Sequence, residues 1–289
     1  MTPPPSTMAT TTTTSNPTPT MTYYDIAMRP PVTRNAAAVN PWKARLALNF
    51  KNAPYSTTWV KLPEVSKVRR SLNLPACRKF ADGSDFYTLP ILSDPTTNSL
   101  IGDSFDIAVY LQKTYPASGG GDLFPPQNLD YELKEELKVL VPLSERNDID
   151  YADYSRFNNN VDAAFSVHTM LMVQKMPFDP ETAEESKAEF VRRAGLKSWD
   201  DFTLEGEKRE QVLASFREML ADLARMFERD TSGPFLLGER PSYADFIVGG
   251  WLRMSRVTLP STEWEQLREW HGGVFGRLHD ALDVYAEVK

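Results

Sequence analysis

The chain has 289 residues, room for one large or two modest domains, and its 41% hydrophobic and 25% charged content is that of a globular protein with a sizeable core. A formal net charge of -7 argues against a nucleic-acid partner, since no basic stripe runs free of interleaved acids. The one cysteine, Cys77, excludes an internal disulfide and no apolar run approaches a membrane span, so a cytoplasmic, non-membrane protein is expected.

Residues 1–21 are almost wholly Thr, Pro and Ser. They lack the basic start of a secretory signal and the arginines of a mitochondrial one, so a disordered tail is expected. Thr22 to Ala27 reads as a first strand. Asn40-Pro41 then opens a helix, with Asn as N-cap and Pro at the first helical position, running from Trp42 to Lys51. Ser56 to Val60 supplies a second strand and Pro63 to Leu72 a second, short helix.

Thr88-Leu89-Pro90-Ile91-Leu92 is strand-like, and Pro90, which has no N–H, leaves the backbone groups before it out of the ladder. A cis Leu89–Pro90 bond would turn those groups toward a ligand. Asp94 to Asn98 has turn chemistry, so Ser99 to Ile101 is the return strand of an antiparallel hairpin. Asp103 or Ser104 then caps a helix that ends at Tyr115-Pro116. This β-α-β-α-β-β-α order predicts an α/β thioredoxin-like domain over 22–115.

The Gly/Ser-rich stretch from Pro116 to Asp122 marks a border, giving a linker over 116–128. Beyond it the period is helical: Leu129 to Leu143, Tyr154 to Met176, Ala183 to Ala194, Leu204 to Arg229, Ser242 to Met254 and Trp264 to Ala286. An all-α helical bundle is therefore predicted over 129–289. Ser242 and Asp245 stand at capping-box spacing after Pro234-Phe235-Leu236-Leu237-Gly238.

The sequence of loop, proline, hairpin and acidic cap from Leu89 to Ser104, together with the boxed turn at Ser242, resembles the glutathione S-transferase superfamily. Asn40 to Leu48, Asp82 to Pro90 and Phe235 to Gly238 are similar to the fungal A-class transferases related to lignin β-etherases. The resemblance implies that Leu89, before a cis proline, pairs with the cysteinyl backbone of glutathione. Asp103 and Ser104 would hold the γ-glutamyl end; separately, Arg78 and Lys79 read either as solvated charges or as partners of the glycyl carboxylate. It further implies a homodimer that consumes glutathione as co-substrate, in detoxification or fungal secondary metabolism.

Glutathione transfer needs a thiolate, and an ordinary thiol with pKa about 8.5 is only slightly ionised at neutral pH. In etherase-related members a Ser lies four residues before the Trp of the Trp-Lys pair; here that position is Ala38. Asn40 is the nearest side-chain donor. Lowering the thiol by two units takes about 2.7 kcal/mol, against about 0.3–1 from a helix N-terminus and about 1.5–3 from a hydrogen bond to the charged sulfur. Asn40 is read either as a helix cap or as that donor, with Thr33 and Asn35 behind it.

Cys77 lies far past the first helix and reads as an incidental thiol. The three histidines show no metal-ligand spacing, and no metal is expected. Tyr151, Tyr154, Phe157 and Phe165 form an aromatic stripe, either core or the wall of a site for a hydrophobic electrophile. The chain is thus expected to be a glutathione transferase, with a non-catalytic ligand-binding or scaffold protein of the same fold as the alternative.

Overall fold

The computed structural model describes residues 20–80, 82–133, 139, 142–143 and 150–289. Strand β1 (Met21–Ile26) alternates buried and half-buried residues, as a strand with one face on a core requires. It pairs in parallel with β2 (Tyr55–Val60), Tyr23 opposite Thr57, and antiparallel with β5 (Ile91–Asp94), Tyr23 opposite Leu92. The hairpin partner of β5 is β6 (Ser99–Ile101), which completes a four-stranded mixed sheet in the order β2-β1-β5-β6.

A short helix α1 (Val32–Asn35) leads into α2 (Val39–Phe50), the helix joining β1 to β2. A buried ion pair, Arg45 Nη2 to Asp25 Oδ2 at 2.7 Å, fastens α2 to β1. After β2 a single 3-10 turn precedes α3 (Val65–Ser71). Two strands of two residues each, β3 (Arg78–Lys79) and β4 (Asp85–Phe86), then form a hairpin whose turn takes Gly83 to φ 83°. Helix α4 (Ser104–Thr114) follows β6, capped by Asp103, whose Oδ1 accepts the N–H of Phe105 at 2.8 Å.

The second unit is helical: α5 (Ala152–Ser166), α6 (Met170–Val173), α7 (Ala183–Ala194), α8 (Gly206–Met219), α9 (Ala221–Phe227), α10 (Tyr243–Thr258) and α11 (Ser261–Ala281). Helix α10 is its buried centre and opens on a complete capping box, with the N–H of Ser242 donating to Asp245 Oδ2 at 2.8 Å. The other Asp245 oxygen accepts the N–H of Leu236 at 2.9 Å, so the box also fixes the turn before it. Helix α10 lies directly on α2. A Cβ at Gly250 would stand 2.8 Å from the Val39 carbonyl oxygen and 2.9 Å from Lys43 Cγ, so the crossing is open only to glycine.

The structure revises several expected elements. Helix α2 begins one residue before Asn40: Ala38 is the extended N-cap, and the N–H of Trp42 reaches its carbonyl at 3.1 Å. Asn40 is therefore inside the first turn, and Pro41 is its third residue, where a helix still has no intrahelical use for an N–H. Leu129 to Leu133 is not helical, and most of the helix expected up to Leu143 lies outside the described residues. The expected helix from Tyr154 is divided between Ser166 and Met170, and the one from Leu204 at Leu220. Helix α11 breaks where His271, Gly272 and Gly273 take φ of 50°, 69° and 80°. No helix among the described residues is long and apolar enough to cross a membrane.

Candidate active site

Where α2, the loop before β5, α5 and α10 meet, the structure encloses a cavity of ≈ 230 Å³. One wall is the start of α2, with Ala37, Ala38, Val39, Asn40 and Pro41. Val39 and Asn40 carry N–H groups that a helix's first turn leaves without intrahelical partners, so this wall is electropositive. Among the described residues the Asn40 side-chain amide has no protein partner, because Ala38, not Asn40, stands at the cap.

Thr88 and Leu89 form the adjoining wall. The Leu89–Pro90 bond is cis, and β5 starts only at Ile91, so Leu89 is outside the strand as the proline spacing suggested. Asp103 and Ser104 sit at the start of α4, 8% and 4% exposed, but do not line the cavity. Lys79 also stands apart: its side chain is 70% exposed and faces Asp85 at 3.7 Å across the β3–β4 hairpin. Its neighbour Arg78 does line the cavity and donates to the Pro142 carbonyl at 3.0 Å.

Of the two readings of the aromatic stripe the structure favours core: none of Tyr151, Tyr154, Phe157 and Phe165 lines the cavity. Tyr151 stacks on Phe124 at 4.0 Å, Tyr154 donates to the Pro125 carbonyl at 2.6 Å, and Phe157 and Phe165 are wholly buried. A helix buries its apolar stripe in the protein. The face that α5 turns to the cavity is the other one, Asp162 and Ser166, continued by Thr169. Apolar side chains of Met176, Phe190, Trp251 and Met254 close the space around these polar groups.

Asp162 is held by three partners. Its Oδ1 accepts from Lys43 Nζ at 2.5 Å and from Trp251 Nε1 at 2.7 Å, and its Oδ2 from Asn158 Nδ2 at 3.3 Å. The Lys43 side chain is 0% exposed, and burial holds its ammonium below the ordinary lysine pKa despite the carboxylate beside it. Reading the sequence did not single out Asp162, although a lone charge inside Val161-Asp162-Ala163-Ala164-Phe165 is a signal that it needs a buried partner.

Cys77 is half-buried, its thiol donating to the Gly102 carbonyl at 2.8 Å, and burial pushes its pKa up, so it is not poised as a nucleophile. Among the described residues no three His, Cys, Asp or Glu side chains gather to hold a metal ion.

Comparison with known proteins gives one answer for both units. The family described as glutathione S-transferase, N-terminal domain, matches residues 39–114, and glutathione S-transferase, C-terminal domain, matches residues 157–285. A glutathione S-transferase-like protein of Aspergillus flavus is 26% identical over 275 residues, spanning 92% of this chain and 90% of its own. A glutathione S-transferase of Ceriporiopsis subvermispora, solved in complex with glutathione, is 27% identical with a TM-score of 0.74, covering 94% of this chain and 99% of its own. The glutathione transferase GSTFuA3 of Phanerochaete chrysosporium is 25% identical with a TM-score of 0.75 over the same shares. With a mixed sheet followed by a helical unit, and each half matching its own domain, the chain belongs to the glutathione S-transferase superfamily.

Proposed function

We propose that this chain is a glutathione transferase that keeps the glutathione sulfur ionised at the start of α2 and presents it to a hydrophobic, aromatic electrophile in the cavity. The carrying observation is that the α2 N-terminus and Leu89 beside its cis proline border the same space. A relative solved with glutathione bound supports the choice of tripeptide.

Bound there, glutathione would supply a thiolate nucleophile for conjugation, or for cleavage of an ether by forming a carbon–sulfur bond as the alkoxide or phenoxide leaves. The chain's own part is to bind and to hold charge. The N–H groups of Val39 and Asn40 and the Asn40 amide stabilise the anion, and the Leu89 backbone aligns the cysteinyl unit. Asp103 and Ser104, at the start of α4, receive the γ-glutamyl end, with Arg78, which lines the cavity, toward the glycyl end. The apolar rim suits a hydrophobic ring. The reading extends to work in detoxification or secondary metabolism, in the cytoplasm and as a homodimer, as the family resemblance implies.

One observation favours a second reading, a non-catalytic ligand-binding protein. Ala37, Ala38 and Val39 bring no side-chain hydroxyl or thiol to the wall where the sulfur would sit. Titration with glutathione, followed by the ultraviolet absorbance of the thiolate, decides. A saturable thiolate signal at neutral pH with turnover of an activated aryl halide supports the transferase. Binding without turnover supports the second reading, and absence of glutathione binding refutes the transferase.

A further inference from the structure

The segments proposed to hold the tripeptide, Thr88–Leu89 before the cis proline and Gly102–Asp103 before α4, belong to different loops. A single buried side chain joins them. Arg69, in α3, is 1% exposed. Its Nη1 donates to the Thr88 carbonyl at 2.8 Å and to the Gly102 carbonyl at 2.7 Å, the residues immediately before Leu89 and Asp103. Its Nε and Nη2 donate to the Pro75 carbonyl at 3.1 and 2.6 Å, and Nη2 also reaches Cys77 Sγ at 3.1 Å.

A guanidinium has five N–H donors in a fixed planar fork, and these contacts use all of them. Among the described residues no carboxylate forms an ion pair with Arg69, and the partners it has there are three carbonyl oxygens and the Cys77 sulfur. That is costly to bury and gives no simple cross-link that lysine or glutamine could copy. Gly102 completes the fit. Its backbone is outside the left-handed region, yet a Cβ there would stand 2.5 Å from Arg69 Nη2, so the missing side chain makes room for the guanidinium.

We infer that Arg69 is a positioning residue for glutathione: from beneath the site it fixes the spacing of the two loops that grip the tripeptide, without touching the ligand. The inference rests on the transferase reading above. A tripeptide spanning both loops is held well only if they are pre-set, and loops free to spread lose affinity rather than chemistry.

The test is calorimetric titration of the full chain with glutathione, for wild type, Arg69→Gln and Gly102→Ala. Each variant is expected to raise the glutathione Kd at least about tenfold, the scale of one charge-assisted hydrogen bond. At saturating glutathione the pKa of the bound thiol should stay at the wild-type value, as should the affinity for anilinonaphthalene sulfonate, an apolar probe of the cavity. A merely structural role would weaken probe and tripeptide in parallel, and that result, or a folded variant with wild-type glutathione affinity, overturns the inference. Should Arg69→Gln not fold, Gly102→Ala decides, since it keeps the charge and only displaces the fork. If wild type itself fails to bind glutathione, the transferase reading falls, an outcome visible before any variant is made.

Discussion

Replacing Lys43 with methionine tests the buried network behind the cavity. The two side chains are similar in length, so the change removes a charge and little volume. Lys43 Nζ makes contacts of 2.5 Å to Asp162 and 2.9 Å to Asn158, and the Lys43 and Asp162 side chains are 0% and 6% exposed. Without the ammonium, Asp162 keeps only Trp251 Nε1 and the longer contact to Asn158, both uncharged donors. Breaking one side of such a pair costs about 3–5 kcal/mol, against about 0–1 kcal/mol for an exposed pair. Adding Asp162→Leu removes the stranded charge and should restore part of the loss. About 1–3 kcal/mol would remain missing because the Trp251 indole N–H then lacks its acceptor. Urea unfolding followed by circular dichroism reads this as a lower midpoint at unchanged slope for the single variant and a partial return for the double. A loss under about 1 kcal/mol for Lys43→Met, or a double variant less stable than the single, would refute the account of a charge pair whose members need each other.

Asn40→Ala should raise the pKa of enzyme-bound glutathione by about one to two units, the worth of a charge-assisted hydrogen bond, with thiolate absorbance as the readout; an unchanged pKa removes Asn40 from the chemistry. For pH, burial alone would raise the Asp94 carboxyl, but the hydroxyls of Tyr115 and Tyr110 and the N–H of Thr96 hold it below its ordinary 3.8. Its folded-state value is thus below its unfolded one, so its stabilisation is present above 3.8 and is lost as pH falls through the lower folded value. Asp94→Asn should lie below wild type in melting temperature at neutral pH, with a gap that closes on acidification; a constant gap would contradict this.

The strands and the α4 cap were legible because their signals are local. Runs of β-branched and aromatic residues gave β1 and β2, turn residues gave the β5–β6 hairpin, and Asp103 announced its helix. Ala183 to Ala194 matches α7 at both ends, closed by Gly195 in the left-handed conformation. The β3–β4 hairpin escaped because strands of two residues have no period to read. Asn40 was read as a cap because Asn-Pro is a strong start signal, whereas the helix begins at Val39 with Ala38 as its N-cap. The site was harder. Asp162 meets Lys43 from 119 positions away and Arg69 meets Gly102 from 33, partnerships that no local pattern encodes. The stripe on α5 was seen but left open between core and site wall, since periodicity shows that a helix has two faces without saying which one meets a ligand.

Trp251 has a consequence for measurement. Its indole is 6% exposed, stacks on Phe165 at 5.1 Å, bonds Asp162 and borders the cavity. A fluorophore so shielded emits toward the blue, and anything entering beside it alters both its quenching and the polarity it senses. In a variant whose other five tryptophans are replaced, Trp251 would serve as an optical reporter, and an unlabelled compound library could be screened for occupants by its emission before any product is identified.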